Sequence, residues 1–221
     1  MPRLLFEKKG NAVWISHLDL MRVFQRAFKR AGLPLTHTHG FNPRPSVSIA
    51  LPLSVGVESA CELLDFELDG EKVPNEEIME KLNRNLVSGI KVLSVYDEEA
   101  RKIKHLALLD CVVTLEYDKG VPDGCVEALT ELFHREEVLV EKKSKSSGII
   151  DQNIIPMIRR IKISAANPHT VELKARICCQ NPTLNPMQMV LAIHKYLPQL
   201  QPDFAKCARV ELYDTEETIF R

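Results

Sequence analysis

The segment THTHGFNPRP, residues 36 to 45, concentrates side chains that could do chemistry. His37 and His39 ionise near neutral pH, so either could act as a general acid or base. The amide of Asn42 could read the edge of a nucleic-acid base, and Arg44 could hold a phosphate or a carboxylate. These four residues are therefore candidates for binding RNA.

The same segment contains residues that restrict its backbone. Gly40 permits a positive φ, while Pro43 and Pro45 fix their own φ and push the residues before them toward extended conformations. We expect a stiff loop that loses little conformational entropy when it binds a partner. The alternative is a rigid connector whose prolines only end a helix and begin an edge strand.

The helix before this loop is strongly marked. Ser16 is a good N-cap, Asp19 completes an S-x-x-D capping arrangement, and Gly32 supplies the C-terminal stop. Apolar residues between them recur at helical spacing, which predicts one buried face. The opposite face carries a group of cations that we call the basic ridge: Arg22, Arg26, Lys29 and Arg30.

The basic ridge has two interpretations. Arginine and lysine on one rigid helix can neutralise several phosphates, as binding to an RNA backbone requires. A run of charges is also common on a solvated helix face, where it could pair with the acidic segment 58–80. Both interpretations stay open on the sequence.

Charge is unevenly distributed along the chain. The net charge of the 221 residues is −1, but residues 1–50 carry +6 and residues 51–100 carry −8. The whole protein is therefore not a basic nucleic-acid binder. A polarised surface with an anionic partner on one side is the expectation.

Evidence for a metal site or a known catalytic motif is weak. His17, Asp19, His37 and His39 could meet only if the loop folds back over the helix start, and their spacing matches no metal motif. The sequence contains no P-loop, dinucleotide-binding turn or nucleophile elbow. We predict no metal ligands, no cofactor and no assigned catalytic residue, and leave open a metal-independent reaction at His37 or His39.

Composition places the chain among ordinary globular proteins, with 45% hydrophobic and 27% charged residues. No apolar run approaches the roughly 18 residues of a membrane helix, and the N-terminus does not resemble a signal peptide. The six cysteines form no C-x-x-C pair, so we expect reduced, mostly buried thiols and a cytoplasmic protein.

The order of elements predicts the fold. In residues 1–96, PRLLFEKK and AVWI are typical of one strand or two short ones, followed by the helix, by strands over 46–53 and 61–68, by a helix over 75–85 and by a strand over 90–95. This order, β-α-β-β-α-β, is that of a ferredoxin-like domain. Scattered charges in CELLDFEL, residues 61–68, are typical of a charge-protected edge strand.

A similar order follows in residues 107–221. Strands are expected over 106–117, 138–142, 158–164, 170–178 and 208–213, with helices over 123–134 and 185–197. The stretch 97–106 is the expected connector, and KKSKSSG, residues 142–148, an exposed loop. One strand is extra, but the fold class is α+β, with two tandem ferredoxin-like halves and antiparallel sheets.

Two stretches resemble a known family. ISHLDLMRVFQRAFKRA, residues 15–31, and HGFNPRPSVSIALPLSVGVES, residues 39–59, are similar to the uncharacterised bacterial radical-SAM-linked, or radical-SAM-associated, domain family. The resemblance implies a partner, a radical SAM enzyme of the B12-binding type, with no reaction attached to this chain. It also implies RNA as a substrate of the pair, because family members tend to lie near genes for RNA processing.

The predicted function combines these points. The chain lacks a radical SAM cysteine cluster, so it would be a non-catalytic accessory protein that binds and positions RNA, such as tRNA or rRNA, for modification. Two alternatives stay open: a metal-independent endoribonuclease or transferase that uses a loop histidine, and a module that only docks on the protein partner.

Overall fold

The computed structural model describes residues 2–96, 101–144 and 148–221. The chain divides into two compact units: unit 1 is Met1–His105 with Phe220–Arg221, and unit 2 is Leu106–Ile219. Helices lie against antiparallel sheet in both, so the predicted α+β class with two ferredoxin-like halves is confirmed.

Unit 1 contains one βαββαβ motif. Its elements are β1 (Arg3–Lys8), α1 (His17–Arg30), β2 (Val47–Ile49), β3 (Glu58–Phe66), α2 (Asn75–Asn83) and β4 (Ile90–Tyr96). The strands pair in the order β4-β1-β3-β2, and every pair is antiparallel. This is the spatial order of a ferredoxin-like sheet.

Unit 2 repeats that order around an inserted hairpin. Its elements are β5 (Leu106–Glu116), α3 (Cys125–Phe133), β6 (Leu139–Ser144), β7 (Gly148–Asn153), β8 (Ile158–Asn167), β9 (Thr170–Cys178), α4 (Met187–Tyr196) and β10 (Phe204–Asp214). The main strands pair as β10-β5-β9-β8, while within the described residues β6 and β7 form a separate two-stranded sheet. The predicted strand over 138–142 belongs to this hairpin, so it is the extra strand of the C-terminal half.

Aromatic packing fixes α1 on the sheet of unit 1. The rings of Phe6 and Phe24 meet edge to face at 4.7 Å, and those of Phe28 and Phe66 lie 5.0 Å apart. Both helix phenylalanines are fully buried. Because one face of α1 is committed to the core, the basic ridge on the opposite face is exposed.

The predicted strand at AVWI is wrong. Gly10–Trp14 forms a short 3-10 helix after β1 ends at Lys8. The buried Lys8 ammonium donates to the carbonyl oxygens of Val13 at 3.2 Å and Ile15 at 2.8 Å, which holds this turn against the sheet. Burial lowers the pKa of Lys8, against the opposing effect of the Glu62 carboxylate.

The edge-strand interpretation of CELLDFEL is also wrong. β3 pairs with β1 on one side and with β2 on the other, so it lies inside the sheet. Its acidic residues are used internally: Asp65 accepts hydrogen bonds from Arg3 at 2.5 and 3.1 Å, and Glu62 is buried. Charge on this strand therefore reflects buried pairing and not protection of an edge.

The expected exposed loop over 142–148 is wrong at both of its ends. Lys142–Ser144 completes β6 and Gly148 begins β7, while residues 145–147 lie outside the described residues. Residues 97–100 of the expected connector also lie outside them, and Ile103–His105 forms a 3-10 turn. Strand β7 was missed, and the other predicted elements are present with shifted ends.

The remaining physical expectations concern thiols and membranes. All six cysteines are free and buried, as expected for packed, reduced thiols. Among the described residues, no helix combines the length and the apolar character needed to span a bilayer.

Candidate functional site

The start of α1 is capped as predicted. The Ser16 hydroxyl accepts a hydrogen bond from the Asp19 backbone N–H at 3.2 Å and donates to the Asp19 carboxylate at 2.7 Å. Asp19 also accepts from Arg22 at 2.9 Å. The hydrogen bond from Ser16, followed in size by the one from Arg22, lowers the pKa of Asp19. Both bonds therefore favour the ionised carboxylate. Asp19 therefore caps the helix and offsets the charge of one ridge residue.

The other three cations of the basic ridge are differently placed. Arg26, Lys29 and Arg30 are exposed and make no side-chain hydrogen bond or ion pair with any described residue. Pairing with the acidic segment 58–80, the alternative interpretation, is thus absent within the described part of the chain. Among the described residues, these three charges therefore lie on a rigid helix without a carboxylate bonded to them.

The end of α1 is fixed by a left-handed glycine and a backbone hydrogen bond. Gly32 has φ of +67°, a left-handed conformation that glycine adopts without strain. The Leu33 N–H then donates to the Phe28 carbonyl at 3.0 Å, which closes the helix. Leu35 pairs with Leu68 in an isolated bridge, so the loop leaves the helix from a fixed point.

The loop itself is braced by hydrogen bonds. Thr38 donates its N–H to the Arg44 carbonyl at 2.8 Å, and Arg44 returns its N–H to the Thr38 hydroxyl at 3.1 Å. Thr36 bonds through its N–H to the Glu67 carbonyl at 2.9 Å and accepts from the Ser46 N–H at 2.8 Å. Gly40, at the tip, has φ of +144°. The loop is a narrow hairpin, stiffened by this ladder as well as by its prolines.

The helix and the hairpin enclose a cleft of about 520 Å³. Arg26 and Lys29 line it from α1, and His37 and Pro45 line it from the hairpin. The structure thus brings together three of the predicted site residues. The other five are exposed but do not line the cleft: Arg22, Arg30, His39, Asn42 and Arg44.

Phe41 is a feature of this site that the sequence interpretation missed. Its side chain is fully exposed at the hairpin tip, between Gly40 and Asn42. An exposed aromatic ring at a constrained tip is placed to stack on a nucleic-acid base. The sequence does indicate this exposure, because Phe41 lies in a polar, turn-forming segment that offers no neighbouring apolar side chains to pack against.

Two more apolar side chains are exposed near the start of α1. Trp14 and Leu18 have 67% and 68% of their surface accessible. A Cβ on Gly56 would lie 3.4 Å from the Trp14 ring, so the loop after β2 approaches this side chain closely. The sequence interpretation missed this surface because it placed Trp14 in a strand.

Unit 2 holds a different charged cluster, spread over all four main strands. The buried guanidinium of Arg176 binds both carboxylate oxygens of Asp110, at 2.8 and 2.9 Å, and contacts Glu217 at 2.5 Å. The same carboxylate accepts from the Tyr213 hydroxyl at 3.0 Å and from Arg160 at 3.2 Å. We call these five residues the Asp110 network.

Ionisation in this network follows from its contacts. Burial by itself would raise the pKa of Asp110, but hydrogen bonds from Arg176 and Tyr213, together with the nearby arginine charges, outweigh it and hold that pKa below its usual value. The Arg176 guanidinium also stacks 3.6 Å above the Tyr213 ring. Every formal charge here has a partner within the protein.

The metal hypothesis gains no support from side-chain geometry. Within residues 2–96, 101–144 and 148–221, no group of three or more His, Cys, Asp or Glu side chains is arranged to hold a metal ion. Asp19, one of the four residues considered, is engaged by Ser16 and Arg22.

Comparison with known protein families identifies the family of this chain. A family model described as "Uncharacterized protein conserved in bacteria (DUF2344)" matches residues 2–186. The chain belongs to this family. The match includes residues 2–105 of unit 1, with the basic ridge and the hairpin. It continues through unit 2 to residue 186. The family description names no reaction and no partner.

One solved structure shares the fold of this chain at low identity. The chain resembles one in the crystal structure of a Cbf5-Nop10-Gar1 complex, with a TM-score of 0.52, 9% identity, and coverage of 96% of this chain and 48% of that one. Another match is to an H/ACA RNP bound to a substrate RNA containing 2'-deoxyuridine, with a TM-score of 0.47, 9% identity, and coverage of 94% and 46%. The chain spans about half the length of these two. No curated protein matches the sequence.

Proposed function

We propose that this protein is a non-catalytic accessory protein that binds RNA and positions it for modification by a radical SAM enzyme. The RNA contacts lie in the N-terminal half, residues 1–96. Arg22, Arg26, Lys29 and Arg30 contact phosphates, and the hairpin residues His37, His39, Asn42 and Arg44 contact the RNA beside them.

The observation that carries this proposal is that three of the four cations of the basic ridge have no hydrogen-bond or ion-pair partner among the described residues. Arg26, Lys29 and Arg30 are exposed and unpaired among the described residues, next to a hairpin that presents further polar groups. From Arg22 to Arg30 the helix rises about 12 Å at 1.5 Å per residue, enough to contact more than one phosphate. Arginine adds a bidentate geometry suited to phosphate oxygens.

The hairpin tip supplies a second kind of contact. Phe41 offers a stacking face, and His39 and Asn42 offer hydrogen-bonding groups at the same exposed tip. Stacking of this kind is tolerant of sequence and needs unpaired bases. The combination favours structured RNA with single-stranded loops or ends over a continuous duplex.

The partner is inferred from the resemblance to the radical-SAM-linked family, carried by residues 15–31 and 39–59. The six cysteines of the sequence contain no C-x-x-x-C-x-x-C cluster, so iron–sulfur chemistry would come from the partner. The two proteins would then divide the work, because this chain holds the RNA and the enzyme modifies it.

Crosslinking in the native cell tests the proposal. We expect a defined set of RNAs to be recovered with the protein, and Arg22→Ala with Arg26→Ala to reduce that recovery strongly. Removal of the radical SAM partner should leave the recovered set unchanged, because the RNA contacts are on this chain. Failure to bind any cellular RNA at low salt would contradict the proposal.

A second candidate function is docking on the protein partner alone. The exposed Trp14 favours it, because tryptophan is enriched at protein interfaces, and the exposed Leu18 near it adds apolar surface. Co-purification with the radical SAM enzyme that survives nuclease and high salt, and is lost on Trp14→Ser, would favour docking over RNA binding.

RNA cleavage is a third candidate, favoured by the position of His37 on a cleft lined by Arg26 and Lys29. An imidazole beside bound phosphate could transfer a proton during cleavage. The test is incubation with recovered RNA, comparing the protein with His37→Ala and His39→Ala. Turnover lost in one variant at unchanged affinity would support an enzyme.

A further inference from the structure

The cleft between α1 and the hairpin combines two opposite surfaces. Its floor is apolar: Phe28 and Leu33 are almost completely buried beneath it, and Leu35 completes it. Its rim carries Arg26 and Lys29, neither of which has an ion-pair partner among the described residues. A ligand that satisfies both surfaces needs an apolar body and an attached anion.

Size and shape narrow the ligand further. The volume of about 520 Å³ lies within the range of roughly 300 to 1,000 Å³ that is typical of small-ligand sites. An inorganic anion would reach the rim and leave the floor uncovered. A neutral apolar molecule would cover the floor and leave two charges without a partner.

Hydrogen-bonding groups on the walls favour a heterocyclic ring as the apolar body. Gln25 lines the cleft from α1 and His37 lines it from the hairpin. An amide and an imidazole can each donate and accept hydrogen bonds, as the edge of a nucleobase requires. A hydrocarbon chain would use neither group.

We propose that this cleft holds a single unstacked nucleotide of the bound RNA, with its base on the apolar floor and its phosphate between Arg26 and Lys29. This inference rests on the proposed RNA-binding function and specifies its substrate class as RNA with an unpaired nucleotide. The basic ridge binds any RNA backbone, whereas the cleft selects RNA in which a base can leave the stack. Single-stranded or bulged RNA should therefore bind more tightly than a continuous duplex.

A mononucleotide titration tests the subsite on the full chain. Adenosine 5'-monophosphate is added to ¹⁵N-labelled protein, with inorganic phosphate and laurate as comparison ligands. We expect saturable amide shifts at Gly32, Leu33 and His37 with the nucleotide, and no shifts at Gly32 or Leu33 with phosphate. Shifts at these amides with laurate but not with the nucleotide would overturn the inference in favour of an anionic amphiphile.

A cleft-filling variant gives an independent test. Gln25→Trp places a large ring in the cleft from a helical position and removes no charge, and Gln25→Ala is its matched control because it opens the cleft. We expect Gln25→Trp to weaken binding of a single-stranded oligonucleotide about tenfold, the loss of one stacked base, with little change for duplex RNA. Gln25→Ala also removes the wall amide, so we expect it to weaken binding of the oligonucleotide about threefold, the loss of one hydrogen bond, and clearly less than Gln25→Trp.

The outcomes separate this inference from the proposed function. If single-stranded and duplex RNA bind equally, and neither the nucleotide nor Gln25→Trp has an effect, the subsite is wrong while RNA binding stands. If no RNA binds at low salt, both are wrong. The mononucleotide titration decides the inference even if Gln25→Trp does not fold.

Discussion

Arg26 in unit 1 and Arg176 in unit 2 have opposite electrostatic surroundings. Arg176 is 5% exposed and bonds to two carboxylates, with an aromatic ring below its guanidinium. Arg26 is exposed and has no ion-pair partner among the described residues. The difference separates two arrangements of charge: the charges of the Asp110 network are paired with one another, while three of the four cations of the basic ridge have no ion-pair partner among the described residues.

The largest effect should come from Asp110→Ala. Removal of this carboxylate leaves a buried guanidinium without its bidentate partner, and breaking a buried ion pair in this way typically costs about 3 to 5 kcal/mol. We expect a loss near the lower end, about 3 kcal/mol in the free energy of unfolding measured in urea, because Glu217 remains bound.

The matched control for this prediction is Lys206→Ala, which removes an exposed ion pair with Glu116. Such pairs contribute about 0 to 1 kcal/mol. Equal losses of unfolding free energy in Asp110→Ala and Lys206→Ala would contradict the claim that the buried Asp110 network contributes more to stability than an exposed ion pair does.

Low pH should partly remove the contribution of Asp110 to the free energy of unfolding. The folded-state pKa of Asp110 lies below its usual value, so its stabilisation is present above the unfolded-state pKa of about 4 and is lost as pH falls through the folded-state pKa. The difference in unfolding free energy between the unmodified protein and Asp110→Asn should therefore be constant from pH 7 to 5. It should narrow below about pH 4, and a difference that widens there would contradict the assignment.

In unit 1, Phe41→Ala should weaken the binding of single-stranded RNA, because one stacked base is lost. The expected loss is about 1 kcal/mol, or roughly fivefold in affinity. Stability in urea should not change, because the ring is fully exposed in the free protein. Phe41→Tyr keeps the stacking face and should keep the affinity. Loss of affinity in both variants would indicate a role other than stacking.

The smallest predicted effect lies within the basic ridge. Asp19 offsets the charge of Arg22, whereas Arg26 has no such neighbour bonded to it. We expect Arg26→Ala to reduce the salt dependence of RNA binding by about 0.7 in slope, the value for one phosphate of a single strand, and Arg22→Ala to reduce it by less. If Arg22→Ala reduced the slope more than Arg26→Ala does, the ion pair with Asp19 would not weaken the contact between Arg22 and phosphate.

Local features of unit 1 could be predicted from the sequence. Ser16, Asp19 and Gly32 define both ends of α1 through contacts within a few residues, and the apolar spacing defines its buried face. The hairpin at 36–46 could be expected to be stiff from its glycine and prolines. The exposed Phe41 at the tip was not predicted, although it is the one aromatic residue of the segment 36–45.

Features that depend on distant partners could not be predicted. Asp110 and Arg176 meet only because β5 and β9 pair in one particular register, across 66 positions of sequence. AVWI has the composition of a strand, and its 3-10 form depends on the buried Lys8. Glu62 and Asp65 suggested an exposed edge because a single sequence does not show which strands flank β3.

The most direct test of the account is the slope of RNA affinity against salt concentration. Three proteins are compared on the same single-stranded RNA: the unmodified chain, Arg26→Ala with Lys29→Ala, and Lys162→Ala with Lys206→Ala, which removes the same charge from exposed positions in unit 2. The account predicts that the ridge variant lowers the slope by about 1.4, for two lost phosphate contacts, and that the unit 2 variant leaves it unchanged. Equal slopes in the two variants would show that RNA responds to net charge alone, and would contradict a site on α1.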